Sequence, residues 1–300
     1  MDRIRWREAG DYPLRATAYD ADGAAATITG TPTITITDGA GAEVHTGTPT
    51  IDAGVLTYDV PNAELQKLDR YKAVWTGTVG GAEQSWTTRF ELVGGFLFEL
   101  ADLRGFDLAF SDTEAFSDAS LRKARTLAEG RIEKAAHVAF VRRGARDLVS
   151  GPHRGNAVDW RDASYLRRAQ RLQLSHLEVA ELYSVTVAGT ALTDDELAAI
   201  AVDDSRLIRD TVWPHGINNI DVHYAHGREV LDPLATHCAL VVAKEFLVSS
   251  SLDPRATAVT AGERMFRITI AGRDGSIGIP EIDEILTGEG GIGRKRYGVG

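Results

Sequence analysis

The stretch Thr211–Ser251, TVWPHGINNIDVHYAHGREVLDPLATHCALVVAKEFLVSSS, decides how the rest of the chain is read. Asp232-Pro233 offers an N-cap followed by a proline at the first helical position, where the missing N–H costs nothing, so a helix is expected to begin there. From Leu234 to Val248 the apolar residues Leu234, Cys238, Ala239, Val241, Val242, Ala243, Phe246 and Leu247 go nearly round the helix, interrupted by Thr236, His237, Lys244 and Glu245. A helix apolar on most faces is expected to be enclosed by its neighbours. Upstream, Ile220-Asp221-Val222-His223-Tyr224 alternates with period two and reads as a strand leading into it.

Around this stretch lie 300 residues, 43% of them hydrophobic, enough for two domains with sizeable cores. The single cysteine, Cys238, rules out a disulfide framework within the chain and reads as a small buried hydrophobe. MDRIRWREAG at the start lacks an apolar signal core, and no apolar run reaches bilayer length, so a soluble chain made in a cytoplasm is expected. A net charge of −10 argues against wrapping nucleic acid. The charge is uneven: residues 141–171 carry eight arginines against three aspartates, whereas 172–293 carry nineteen acids against eight bases. Separated basic and acidic stretches suit head-to-tail assembly, in which one face of a subunit meets a different face of the next.

Residues 1–95 have strand texture. Leu14–Tyr19, Thr33–Thr37, Val55–Val60, Tyr71–Val79 and Ser85–Leu92 are rich in Thr, Val, Ile and aromatics, with Gly80-Gly81 as a hairpin signal. An immunoglobulin-like β-sandwich fits their length and spacing, with Trp75 and Trp86 on its core. Val93-Gly94-Gly95 marks a boundary. From Ser117 the residues Leu121, Ala124, Leu127, Ala128, Ile132 and Ala135 recur at helical spacing, with Arg125 and Glu129 one turn apart on the charged surface. Gly130 inside this helix points to a close neighbour. Residues 138–158 give mixed signals, 171–174 and 181–187 read as strands, and Thr193-Asp194-Asp195-Glu196 has capping-box form. Phe266–Ile270 reads as a strand and Pro280–Leu286 as two helical turns. The glycine-rich residues 288–300 read as an arm awaiting a partner.

Catalytic and cofactor motifs fail on context. Gly288–Gly293 matches G-x-G-x-x-G, but a helix precedes it where a strand is required, and no Lys-Ser/Thr follows for a phosphate loop. Asp274-Gly275-Ser276-Ile277-Gly278 lacks the first glycine of a nucleophile elbow. His223 and His226 are read as two surface histidines with diverging side chains, not metal ligands. No enzyme, cofactor or metal site is expected.

The order of several stretches resembles the head-to-tail adaptor (connector) proteins of long-tailed bacteriophages, in the form found in actinobacteriophages. Those stretches are Ala101-Asp102-Leu103-Arg104 before helix 118–136, Val-x-Val-x-Gly at 185–189, the Trp213-Pro214 to Phe246 unit, and Gly-Ile-Pro-Glu-Ile-Asp at 278–283. The resemblance runs from about Phe96 to the end. It implies an α+β multidomain chain: a β-sandwich at 1–95, a mainly α-helical adaptor domain with short β-hairpins at 96–287, and a C-terminal arm at 288–300. It further implies a structural virion protein of the neck, between capsid and tail. Such a protein forms a dodecameric ring that docks under the portal protein, extends the channel through which genomic DNA passes, and seats the next neck or tail-terminator protein. No membrane takes part. Arg294, Lys295, Arg296 and Tyr297 of the arm would contact the portal. Arg142, Arg143, Arg146, Arg167, Arg168 and Arg171 are expected at the subunit interface, leaving an acidic lumen along which the duplex slides. The alternative is a phage or cell-surface carbohydrate-binding module on an anchoring domain, which would display clustered Trp or Tyr on one sheet face.

Overall fold

The structure, a computed structural model, describes residues 2–6, 10–19, 24–152, 169–248, 258–261, 264–267, 277–288 and 291–293. Two compact units emerge: Met1–Gly95 with Arg142–His226, and Phe96–Val141 with Gly227–Gly300.

The first unit begins with strands β1 (Asp2–Arg5), β2 (Tyr12–Thr17), β3 (Ile28–Thr37), β4 (Glu43–Gly47), β5 (Thr50–Asp52), β6 (Val55–Val60), β7 (Arg70–Val79) and β8 (Ala82–Val93). One sheet is ordered β8-β7-β3-β4, with β1 parallel to the end of β8, and the other is β2-β6-β5. Their alternating residues meet in a core of Tyr12, Leu14, Ile34, Ile36, Leu56, Val60, Tyr71 and Trp75. Burying one face of each strand is what alternation encodes. Trp75 is fully buried, and its indole N–H donates to the Thr88 hydroxyl at 2.9 Å. Gly80 and Gly81 both have positive φ, as a two-residue hairpin turn requires.

Residues 142–226 of the same unit add β9 (Arg143–Val149), β10 (Arg171–Gln173), β11 (Val179–Val187), β12 (Thr190–Ala191), β13 (Ala201–Asp203), β14 (Arg206–Ile208) and β15 (Ile220–His226), with one short helix, here α3 (Asp194–Ala198). Strands β12-β11-β15-β9 are antiparallel and continue the sandwich sheet through a single residue pair, Val93 with Arg143. Beneath them lies the sheet β10-β14-β13, and the shared core holds Leu172, Leu207, Trp213, Val222 and Tyr224. Trp213 anchors this core: its indole N–H donates to the Gln170 carbonyl at 3.0 Å and Arg209 lies over its ring at 4.9 Å. Around the single-pair hinge, other contacts bind the two sheets. Arg143 forks onto the buried Glu91 carboxylate at 2.8 Å through two nitrogens, and Arg3 lies 3.4 Å from it. Gly144 sits so close to the Leu68 carbonyl that a Cβ would lie 1.7 Å from its oxygen.

The second unit carries α1 (Leu100–Phe106), α2 (Asp118–Ala136), α4 (Pro233–Leu247) and α5 (Pro280–Thr287), with the short strands β16 (Ala258–Ala261) and β17 (Arg264–Arg267). Its core gathers Leu103, Phe110, Leu121, Ala128, Ile132, Cys238, Val242, Ile282 and Leu286. The expected caps are in place: Ser117 accepts from the Ser120 N–H, and Asp232 from the Leu234 N–H at 2.9 Å.

The expectation of a mainly α-helical domain after residue 95 is overturned. Among the described residues strands outnumber helices, because 142–226 builds strands that extend the sheet. The alternation of strand β9 is hidden by Arg143, Gly144 and Arg146: the first two contact the sandwich and Arg146 pairs with Asp221 on β15, so none of them buries apolar bulk. Helix α4 buries one face only, through Ala235, Cys238, Ala239, Val242 and Ala243, while Leu234 and Phe246 are exposed. Arg125 and Glu129 point inward: Glu129 accepts from the Leu97 N–H at 2.8 Å, and Arg125 stacks 3.4 Å from the centre of the Phe96 ring. Gly130 has open space where a Cβ would be, so no neighbour demands glycine there.

These glycines behave oppositely on substitution. Gly144→Ala is expected to cost about 3 kcal/mol, since backbone must move, whereas Gly130→Ala is expected to gain about 0.5–1 kcal/mol through helix propensity alone. Denaturant unfolding of the two variants checks both signs.

Candidate functional site

The helical unit is held together at the segment the resemblance singled out. Leu103 is fully buried. Arg104, on the next position of α1, donates to the Phe110 and Phe116 carbonyls and pairs with Asp118 at 2.8 Å, tying α1 and the 3-10 turn Leu108–Ser111 to the start of α2. The hydrogen bond from Arg104 holds the exposed Asp118 carboxyl below its usual range. Asp107 caps the 3-10 turn through the Ala109 N–H and pairs with Lys244 of α4 at 2.8 Å, and the Lys244 hydrogen bond lowers its pKa. Phe106 meets His237 edge-on at 6.2 Å. The α1 corner therefore lies along the face of α4 that helical spacing gives to Leu234, His237, Val241 and Lys244.

Several large apolar side chains of the helical unit are exposed to solvent. Leu108 is 85% and Val230 80% exposed, and Phe106, Leu231 and Leu234 are exposed with them. A second exposed group comprises Leu127 of α2 and Phe246 of α4, with Arg131 over the Phe246 ring at 5.7 Å. Sequence reading missed both because it followed helical periodicity. Phe106, Leu108, Val230 and Leu231 stand at helix edges and between helices, where apolar residues with no period were the available signal.

The glycine-rich segment begins as part of the packing. Ile292 and Gly293 donate backbone N–H groups to the Ile285 and Leu286 carbonyls at 3.0 and 2.9 Å, and Arg228 donates to the Ile292 carbonyl at 3.1 Å. A Cβ on Gly293 would meet the Ala136 backbone at 2.9 Å. Here glycine permits close approach between pieces of chain, the role it would otherwise have toward a pyrophosphate.

The expected interface arginines are dispersed. Arg143 is committed to Glu91, and Arg146 forks onto Asp221 across adjacent strands. Arg142 is half-buried, its carbonyl accepting from the Gly94 N–H at 2.8 Å, and Arg171 is exposed on β10. Arg167, Arg168, Arg294, Lys295, Arg296 and Tyr297 lie outside the described residues, as does most of the 274–278 motif. Trp75 and Trp213 are buried and Trp86 is half-buried.

A polar cluster that no motif announced sits at the end of β15. Asp147 accepts from the Ser175 N–H and hydroxyl at 2.6 Å each and from the Tyr224 hydroxyl at 2.9 Å. Burial works against the Asp147 carboxylate, yet these hydrogen bonds prevail and lower its pKa. His176 Nδ1 lies 2.9 Å from the Tyr224 hydroxyl, and its ring stacks on His226 at 4.1 Å. Contrary to the reading of two surface histidines, His226 is buried. His223, half-buried, is set edge-on to Tyr183 and lies 3.5 Å from Asp69. The cluster draws on residues 147, 175, 176, 224 and 226, too dispersed for sequence spacing to reveal. Its bonds run inward and hold the 174–178 loop to the sheet. Among the described residues no group of three or more potential ligands could hold a metal, and no helix is long and apolar enough to cross a membrane. Cys238 is buried, which pushes its thiol up to about 11.

No protein-family profile matches this chain, and no curated protein is significantly similar to it.

Burial pushes His226 down to about 3, assisted by the charges of His176 and Arg143. The stability that comes from keeping His226 neutral is therefore complete above the unfolded value near 6.5 and is lost as pH falls toward 3. Wild type is expected to lose about 2 kcal/mol from this group between pH 7 and 4.5. His226→Gln should flatten that slope in unfolding curves recorded across the same range.

Proposed function

We propose that this chain is a head-to-tail adaptor of a long-tailed bacteriophage. In this reading it is a structural subunit of a ring that docks under the portal, lengthens the DNA channel and seats the next neck protein. The observation that carries the reading is the display of large apolar side chains on the helical unit, in the group Phe106, Leu108, Val230, Leu231 and Leu234 and in the group Leu127 and Phe246. Large apolar side chains left exposed on one unit are surface that another protein can cover. A ring subunit has two different neighbours in its own layer and a further partner above, and each contact is heterologous, so more than one such surface fits the role.

Two further features support it. Residues 291–293 are tied to α2 and α5, so Arg294, Lys295, Arg296 and Tyr297 follow directly from a fixed point of the helical unit. The burial of Trp75 and Trp213 in cores favours this reading over a carbohydrate-binding module, which depends on displayed aromatics. The bundle is smaller than the resemblance implied, and the adaptor function is assigned here to the helical unit alone.

Leu108 and Val230 point into solvent, so aspartate at both positions leaves the core intact. The double variant Leu108→Asp/Val230→Asp is expected to fold as wild type by circular dichroism and to lose at least about tenfold in co-sedimentation with portal rings. Removing residues 294–300 should weaken the same binding while sparing 291–293. Undiminished binding by the double variant would contradict the assignment of this surface.

A further inference from the structure

We propose that β8 is a self-pairing edge, through which two copies of this chain join their sandwich sheets antiparallel about a two-fold axis at Trp86. This inference concerns the first unit and does not depend on the adaptor reading.

On one side β8 pairs with β7 along ten residues, Ala82 to Glu91, without a register shift. Its other side is occupied only at the far end, where β1 pairs with Phe90–Val93; β9 meets Val93 on the β7 side, where the Gly94 N–H donates to the Arg142 carbonyl. Among the described residues, positions 83–89 therefore have no strand on that side. The direction of their backbone groups follows from two hydrogen bonds at the end of the same strand. The Leu92 N–H donates to the Asp69 carbonyl, on the β7 side, and the Val93 carbonyl accepts from Trp6, on the β1 side. Alternation then turns the N–H and C=O groups of Glu83, Ser85, Thr87 and Arg89 outward.

An open edge of this kind is a template for another strand. Natural edges are blunted by proline, by bulges or by central charges. Ala82-Glu83-Gln84-Ser85-Trp86-Thr87-Thr88-Arg89 has no proline and no bulge, and its charges stand only at the ends. Those ends are opposite in sign and equidistant from Trp86. Antiparallel pairing of two copies about Trp86 sets Glu83 against Arg89 twice, Ser85 against Thr87 twice, and Trp86 against Trp86. The outward-turned residues 83, 85, 87 and 89 become the hydrogen-bonded pairs, and Trp86 becomes the close non-bonded pair, where cross-strand aromatics interact best. Glu83, Ser85, Thr87 and Arg89 are exposed, and Trp86 is half-buried against the sandwich core, so a facing Trp86 extends that core across the contact. The edge already accepts a strand at Phe90–Val93. The charge complementarity of the remaining seven residues with themselves selects a second copy as the occupant.

Sedimentation velocity of the full chain over a range of concentrations tests this. A dimer in equilibrium with monomer is expected. Thr87→Pro removes an N–H that β7 does not use, and should give monomer with an unaltered circular dichroism spectrum. Glu83→Arg places like charges opposite each other twice and should weaken association by roughly tenfold, and adding Arg89→Glu should restore it. A wild-type chain that stays monomeric overturns the proposal. So do a dimer or larger species that Thr87→Pro leaves unchanged, and a charge swap that fails to restore association.

Discussion

The first unit depends on the approach of Gly144 to the Leu68 carbonyl, closer than any side chain allows. Only with glycine there can β9 lie against the end of the sandwich, and only with β9 in place can β15, β11 and β12 continue the sheet. Opposite Gly144 in the ladder stands Ala225, another small residue, which packs with the sandwich core. Once the backbones are this close, polar groups on either side must find partners in the joint. Glu91 takes Arg143 and Arg3, the Leu68 N–H meets the Tyr183 hydroxyl at 3.4 Å, and Asp69 faces His223. A buried carboxylate is costly unless it is paired, so these contacts are consequences of the joint as much as supports for it.

The helical unit is built on another principle. Its core is rich in alanine, with Ala124, Ala128, Ala135, Ala136, Ala235, Ala239 and Ala243 all buried, so helices approach closely and little apolar bulk is sealed inside. Larger groups such as Leu108 and Val230 are left outside. The same economy explains why α2 turns Arg125 and Glu129 inward: they hold the backbone of residues 96–99, which no strand satisfies.

Legibility in the sequence followed the physics of each region. Where one face of a strand is buried and the other solvated, alternation is unambiguous, and β2, β3, β6, β7 and β8 could be read from Leu14, Ile34, Leu56, Trp75 and Phe90. Local hydrogen bonding was equally legible: Ser117, Thr193 and Asp232 cap the helices they were expected to cap. What could not be read depends on distant partners. Nothing beside Gly144 reveals Leu68, nothing beside Glu129 reveals the Leu97 N–H, and the apolar count of α4 does not say which of its faces has a neighbour. The candidate surface was hidden for the same reason, since exposure of Leu108 and Val230 is a property of the fold around them.

The adaptor role proposed above requires that the chain stack coaxially with a portal. Electron microscopy of the purified chain mixed with candidate portal rings, classified for rotational symmetry, tests it most directly. An added ring of density on the portal axis is expected, sharing the portal's symmetry and contacting it through the helical unit. Portal rings that remain bare at saturating chain, or density scattered off the axis, would contradict it.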